Sequence, residues 1–409
     1  MKQYDSYKDS GVEWIGEVPS HWEILPFKRA ITINNGCDYK HVQVEEDGYP
    51  VIGSGGQFAW ASQYMYDGEV VLLGRKGTID KPLYYKGKFW TVDTMFYGIP
   101  KKNANCKYLL YQAKNIPFER YATATALPSM TQTDLNNNAI CMPPLKEQAA
   151  IANYLDKKCS EIDNVISAQQ KRIALLQELK QSVITRAVTK GLDPNVEMKD
   201  SGVEWIGEVP KHWDVMKTSL AFQGIGSGTT PSTSKKEFYD EEGKYWLQTG
   251  DLNDGVILGT SKKVSDIAIK VCNLKFYPKD SVVIAMYGAT IGKVGILGIK
   301  TATNQACCVL PANNHMVAKY SFYEFLACKP ALLVSAIGGG QPNISQDTIR
   351  KQKIAVPPVE EQKMIADYLG KKCVSIDSSI SKAQYQVELL QEYKQSLITE
   401  VVTGKRKVC

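Results

Sequence analysis

The chain has 409 residues, 44% hydrophobic and 10% aromatic, with a formal net charge of +6. That length suggests two to four domains, and the composition is ordinary for a soluble globular protein. No apolar run approaches a membrane span, the polar opening Met1-Lys2-Gln3-Tyr4-Asp5 lacks a signal-peptide pattern, and the mild positive charge is compatible with a polyanion partner without requiring one, so a cytoplasmic protein is expected.

Ten cysteines occur without a Cys-x-x-Cys pair or Cys/His ligand spacing, so no metal is expected. They read as buried free thiols, with Cys307-Cys308 in an apolar strand-like run.

Residues 1–22 form a first segment. Within it, Lys8 to Pro19 returns unchanged as Lys199 to Pro210, followed each time by His-Trp, at His21-Trp22 and His212-Trp213. No second His lies near either pair and no Ser or Cys stands in an obvious nucleophile setting, so the pair predicts a Trp anchor packing the segment on a helix rather than catalysis. The second copy, 199–213, directly follows a helical stretch; the N-terminal copy is therefore expected beside the C-terminal helix, with the termini close together.

Residues 23–141 show short β-branched and aromatic runs broken by Gly, at 49–53, 69–73, 83–85 and 89–92, with a helix near 107–114. Residues 214–355 repeat the style, with strands at 244–249, 281–287, 294–297 and 306–310 and a helix near 320–327.

Between and after these domains, residues 142–191 return as 356–405 at a constant offset of 214 positions. Pro143-Pro144, Glu147-Gln148, Tyr154-Leu155, Lys157-Lys158-Cys159 and Leu175-Leu176-Gln177-Glu178 recur as Pro357-Pro358, Glu361-Gln362, Tyr368-Leu369, Lys371-Lys372-Cys373 and Leu389-Leu390-Gln391-Glu392. A gapless match of this length is a duplicated structural unit. Each copy predicts a long helix, with one stripe of Ile162, Ile166, Ile173, Leu176, Leu179 and Val183 and another of Ile376, Ile380, Val387, Leu390, Tyr393 and Leu397. Some forty helical residues span about 60 Å. A narrow stripe of that length asks for a partner helix, and each copy can serve the other. Asp163 and Asp377 could cap a second segment after a kink. Lys157, Lys158, Lys171 and Arg172 fall on the outer face.

Under the same offset the domains also match at their ends. Pro128-Ser129-Met130-Thr131-Gln132 falls on Pro342-Asn343-Ile344-Ser345-Gln346. Elsewhere in the domains, and without that offset, Leu72 to Ile79 resembles Ala285 to Gly292, each a strand followed by a Gly-containing turn. The two domains read as one fold used twice. Their glycine runs are not nucleotide loops: Gly288 to Val294 has three residues between its glycines and no Ser/Thr after Lys293, and Gly224 to Gly228 lacks dinucleotide spacing. The latter reads as a turn approaching a ligand or backbone. Neither Pro-Pro has the flanking polar and aromatic residues of an amino-methyltransferase motif.

Two variable domains alternating with Pro-Pro-x-x-Glu-Gln helices and Glu-Trp-Ile-Gly-Glu-Val-Pro-x-His-Trp segments resemble, over essentially the whole chain, the specificity subunit of type I restriction-modification systems. The resemblance implies an α+β chain of two mainly-β target-recognition domains (23–141 and 214–355) separated by two long helices packed as an antiparallel coiled-coil-like pair (142–198 with its linker, and 356–409), in a pseudo-twofold internal repeat. It also implies a non-catalytic subunit that reads the two halves of an asymmetric site on double-stranded DNA. The helices would set the spacing and dock two methyltransferase subunits, which carry S-adenosylmethionine and to which restriction-translocase subunits can bind. No cofactor is expected on this chain.

Side chains able to reach phosphates or base edges nominate Lys40, His41, Gln57, Arg75, Lys76, Thr125, Ser129, Thr131 and Gln132 in the first domain. In the second they nominate Ser227, Thr229, Thr230, Lys235, Lys236, Tyr287, Thr290, Lys293, Gln341, Asn343 and Ser345. The competing reading is a coiled-coil scaffold with two protein-binding β domains.

Overall fold

The structure, a computed structural model, describes residues 3–120, 128–334 and 343–408. Its helices are α1 (Cys106–Lys114), α2 (Gln132–Asn137), α3 (Leu145–Lys190), α4 (Thr218–Ala221), α5 (Asp266–Val271), α6 (Ala318–Val334), α7 (Gln346–Lys351) and α8 (Val359–Val402). The chain divides into two compact units, Met1–Gln170 with Gln384–Cys409, and Lys171–Ala383. Each unit therefore holds one β-rich domain, half of α3 and half of α8.

The long helices run unbroken for 46 and 44 residues. Asp163 and Asp377 cap no kink, because each carboxylate instead receives a lysine from the opposite helix. Lys394 Nζ lies 2.7 Å from Asp163 in the first unit, and Lys180 Nζ lies 2.8 Å from Asp377 in the second. The two pairs exchange under the 214 offset, and in each unit the early half of one helix meets the late half of the other, so the helices are antiparallel. Ile162, Ile166 and Leu397 are buried, while Ile173, Leu176, Val183, Ile376, Ile380, Val387 and Leu390 are half-buried. Leu179 and Tyr393, equivalent positions, leave the predicted stripe and are 49% and 51% exposed. A straight helix at 3.6 residues per turn rotates past a narrow seam, so not every three- or four-residue step stays on it. Near the helix ends the covered face widens, burying Ile184 and Val188 in the second unit and Ile398 and Val402 in the first.

The Glu-Gln of each helical copy locks its start in place. Gln148 Nε2 donates to the carbonyls of Pro143 and Asn103, while its Oε1 accepts from Asn105 N at 2.9 Å. Gln362 does the same with Pro357, His315 and Val317 N. Both side chains are buried, and full satisfaction of a buried amide fixes the angle at which the helix leaves the domain. Glu147 takes the His-Trp pair: Trp22 Nε1 donates to it at 3.2 Å, His21 Nε2 lies at 2.9 Å, and Tyr4 Oη donates at 2.6 Å. Glu361 holds Trp213 and His212 in the same way, at 2.9 and 2.7 Å. Both Trp rings are fully buried, as an anchor requires. They lie against Gly191 and Gly404, which end α3 and α8 at φ +71° and +75°; a Cβ there would be both strained and in the way. In the first unit the N-terminal segment thus closes on the end of α8, with Tyr7 Oη donating to Gly404 O and Lys407 over the Tyr4 ring.

The first unit's sheet has seven strands in the order 31–35, 95–100, 66–74, 83–91, 49–53, 56–61 and 43–44. The second unit has a five-stranded sheet (226–227, 307–310, 282–285, 294–297, 255–257) and a four-stranded one (262–264, 239–247, 301–303, 276–277). The first four strands of the seven and of the five follow the same antiparallel order. The long strand 83–91 of the first unit is split in the second into 294–297 and 301–303. Its last residues nonetheless keep a parallel neighbour in both, Val51 opposite Trp90 and Trp246 opposite Ala302.

Candidate nucleic-acid interface

In the first unit the strand Tyr66–Gly74 runs into a turn at Arg75-Lys76-Gly77, where Gly77 sits at φ +82°. The loop before α2 lies against it: Lys76 and Ser129 form a β-bridge, Gly77 N donates to Pro128 O and Met130 N to Arg75 O, both at 2.9 Å. A second turn meets the first from the other side. Arg75 N and Lys76 N donate to Thr94 O, and the Arg75 guanidinium donates to Asp93 O at 3.3 Å. That turn is held by the strand 31–35 and its continuation, with Cys37 N donating to Thr91 O at 3.0 Å. Thr91 Oγ1 in turn donates to Ile52 O, and Ile52 pairs with Gln57.

The structure thus brings Arg75, Lys76 and Ser129 directly together. It places Lys40, His41 (ring 5.5 Å from Trp90) and Gln57 on the strands and turn leading to them. Thr131 and Gln132 are engaged locally. Thr131 caps α2 through a reciprocal pair with Asp134, and Gln132 Nε2 donates to Ile33 O at 2.6 Å. Thr125 lies outside the described residues.

The second unit repeats this construction. Tyr287 bridges Asn343, Ile344 N donates to Met286 O at 2.7 Å, and Gly288 has φ +82°. Lys76 therefore corresponds to Tyr287 and Gly77 to Gly288, a register two residues away from the sequence match, which had set Arg75 on Gly288. Thr229 N donates to Thr303 O, the Thr230 hydroxyl donates to Gln305 Oε1, and Ser227 pairs with Cys308. Lys235 stacks over Phe238 beside Lys236. Thr290 and Lys293 close the turn after Gly288 through Lys293 N to Thr290 O. Ser345 caps α7 by accepting from Thr348 N at 3.0 Å. Gln341 lies outside the described residues.

Two residues that the sequence did not single out, Asp93 and Gln305, stand exposed at this edge. Their only sequence signal is a short polar break between apolar strands, which any solvated turn would show.

Among the described residues no group of three or more His, Cys, Asp or Glu could hold a metal ion, and no helix is long and apolar enough to cross a membrane. Burial pushes the thiols of Cys106, Cys141 and Cys308 up to about 12, which keeps them protonated and unreactive.

The chain matches the family described as type I restriction modification DNA specificity domain over residues 19–175 and 210–382. It is 27% identical to the putative type I restriction enzyme MjaX specificity subunit of Methanocaldococcus jannaschii, covering 96% of each chain. It is 20% identical to the type I restriction enzyme EcoKI specificity subunit of Escherichia coli strain K12, covering 95% of this chain and 90% of that one. A chain solved in work on complex assembly and conformational transition of the type I R-M system shares the fold, with a TM-score of 0.71, 14% identity and coverage of 94% and 98%. The HsdS subunit from Thermoanaerobacter tengcongensis does so with a TM-score of 0.50, 14% identity and coverage of 95% and 98%.

Proposed function

From the premise that the chain belongs to the type I restriction-modification DNA specificity family and is a DNA-recognition subunit, we propose that its domains 23–141 and 214–355 each read one half of a bipartite, asymmetric duplex site. Catalysis lies in other subunits. One observation carries the reading: both units build the same turn-on-loop edge but furnish it differently, Lys76 with Ser129 in one and Tyr287 with Asn343 in the other. One scaffold with two sets of side chains is what an asymmetric site calls for. Lys40, Arg75, Lys76, Lys235, Lys236 and Lys293 supply phosphate contacts, and the polar residues of the paired loops supply base contacts.

The helical repeats set the separation of the half-sites and dock two methyltransferase subunits, which bind S-adenosylmethionine; restriction-translocase subunits join through these. The assembly works in the cytoplasm. Exchanging residues 23–141 for the recognition domain of another family member, then mapping methylated bases genome-wide, is expected to change one half of the sequence and keep the other. An unchanged sequence, or a change in both halves, defeats the proposal. Deleting whole turns of α3 between 162 and 183 is expected to alter the spacing of the halves and not their bases. Affinity of the complex for its site should fall steeply with salt as phosphate contacts release counterions.

A further inference from the structure

We infer that Asp93 in the first domain and Gln305 in the second are base-reading residues at one structurally equivalent turn, and that their difference contributes to the asymmetry of the site. The inference rests on the reading that the turn-on-loop edge faces DNA.

The equivalence comes from hydrogen bonds. Met95 N donates to Val92 O and Cys307 N to Asn304 O; Arg75 N donates to Thr94 O and Met286 N to Ala306 O; Cys37 N donates to Thr91 O and Thr229 N to Thr303 O. All three correspondences put Asp93 on Gln305. The turn is also built rigidly. Gly36 and Gly228, again equivalent, bring their backbone so close that a Cβ would collide with Val92 O in one unit and Thr303 O in the other. Such a close approach admits only glycine.

Both side chains are exposed at the tip. Among the described residues the Asp93 carboxylate has no ion pair, although Arg75 and Lys76 are its neighbours: Arg75 reaches its backbone carbonyl instead. A free carboxylate on a surface meant for phosphate would be repelled unless it meets a donor, and the donor a duplex offers in the major groove is the amino group of cytosine or adenine. Gln305 is oriented by Thr230, whose hydroxyl holds Oε1, so that its amide nitrogen is left for a ligand. An oriented carboxamide is the group that pairs bidentately with adenine.

The test is methylated-base mapping and DNA affinity for the chain assembled with its methyltransferase subunits, carrying Asp93→Ala, Asp93→Asn or Gln305→Ala, with Lys76→Ala and Tyr287→Ala alongside. Asp93→Ala is expected to relax one base pair of one half-site by about tenfold or more, Asp93→Asn to change the base preferred there, and Gln305→Ala to relax one base pair of the other half. Exposed positions leave the thermal unfolding unchanged. If the Asp93 and Gln305 variants keep every base, or weaken all sequences alike, while Lys76→Ala or Tyr287→Ala impairs binding, the edge reading stands and this inference is overturned. If no variant alters affinity or sequence, both fall together.

Discussion

The two units meet the same structural demand with different chemistry at one buried position. In the first, α1 carries Tyr108 and Gln112; in the second, α6 carries Tyr320 and Glu324, all of them buried. Gln112 Nε2 donates to Tyr108 Oη and Val402 O and lies 3.1 Å from Cys141 O, and its Oε1 accepts from Cys141 N. Glu324 Oε1 accepts from Ala355 N at 2.8 Å, and its Oε2 lies 3.3 Å from Tyr320 Oη, which also approaches Val188 O and Ala355 O. The acceptors are equivalent, and so is the job of tying the last strand of the domain to the end of a long helix. An amide does it at any pH. The Glu324 carboxyl accepts from the Ala355 N–H and Tyr320 in either protonation state, but burial penalises its charged form and raises its pKa to about 8 against the weaker, opposite pull of those two donors. One half of the molecule is therefore pH-sensitive where its twin is not.

The largest effect that probes this comparison comes from removing the anchor both units share. Trp22→Ala and Trp213→Ala each empty a fully enclosed site, and loss of an aromatic ring from such a site costs about 3–5 kcal/mol. Hydrogen exchange should show each variant loosening its own unit: the joint of 1–22 with α8 for Trp22→Ala, that of α3 with 199–213 for Trp213→Ala. Equal loosening of both units by either variant would mean that the halves do not stand on separate anchors.

Glu324→Gln comes next. With a folded pKa above the usual carboxylate range, Glu324 holds a proton that the unfolded chain releases. Its stabilisation is complete at low pH and is lost as pH rises towards and through 8. Glu324→Gln should flatten that decline and gain a few kcal/mol above pH 8, whereas Gln112→Glu should import the same decline into the first unit. Unfolding temperatures from pH 5 to 9 decide the matter. An unaltered slope in Glu324→Gln would show that the carboxyl is not the sensitive group.

None of this difference was legible in the sequence, because Gln112 and Glu324 lie outside the repeats whose offsets are constant and both types suit an exposed helix face as well as a buried one. What was legible followed from repetition. The helix copies, the Trp segments and the swap that closes 1–22 on α8 all follow from finding each element twice, since a duplicated partner specifies its own contact. The Glu-Gln pair was legible as a motif but not as a device, for its targets, His-Trp and the carbonyl of Asn103 or His315, come from two separate stretches in each unit. At the candidate interface the paired loops were legible, but the register of the turn was not. Gly77 and Gly288 share a positive φ, a backbone property that comparing side chains does not register. Thr131 and Ser345, read as possible DNA contacts, are held by helix starts, a use that hydroxyl-x-x-polar spacing also fits.

Those caps supply a smaller test. Thr131→Ala removes a reciprocal pair with Asp134, and Ser345→Ala removes a bond to Thr348 N alongside a hydroxyl contact at 2.8 Å. Each should cost about 1 kcal/mol, read as a lowered unfolding temperature of its own unit. If a cap variant instead changed the methylated sequence without lowering stability, its hydroxyl would belong with the base contacts.

The smallest expected effect lies in the lysine–aspartate pairs across the helices. Lys394 and Lys180 are 23% and 31% exposed at their side chains and their aspartates 54% and 51%, so solvent screens both pairs, and each contributes about 0.2–1 kcal/mol. Their value is in the direction they specify. Within each unit an aspartate on the early half of one helix can meet that lysine only if the other helix runs the opposite way. Reversing one pair, with Asp163→Lys and Lys394→Asp together, should leave stability within about 1 kcal/mol of the parent, while Asp163→Lys alone sets two lysines against each other and lowers it. The double variant recovering what the single loses, measured by chemical denaturation at low salt and fading at high salt, is the expected result. Equal losses in the single and double variants would mean that the pair is an incidental surface contact and that helix direction is set by the buried ends alone.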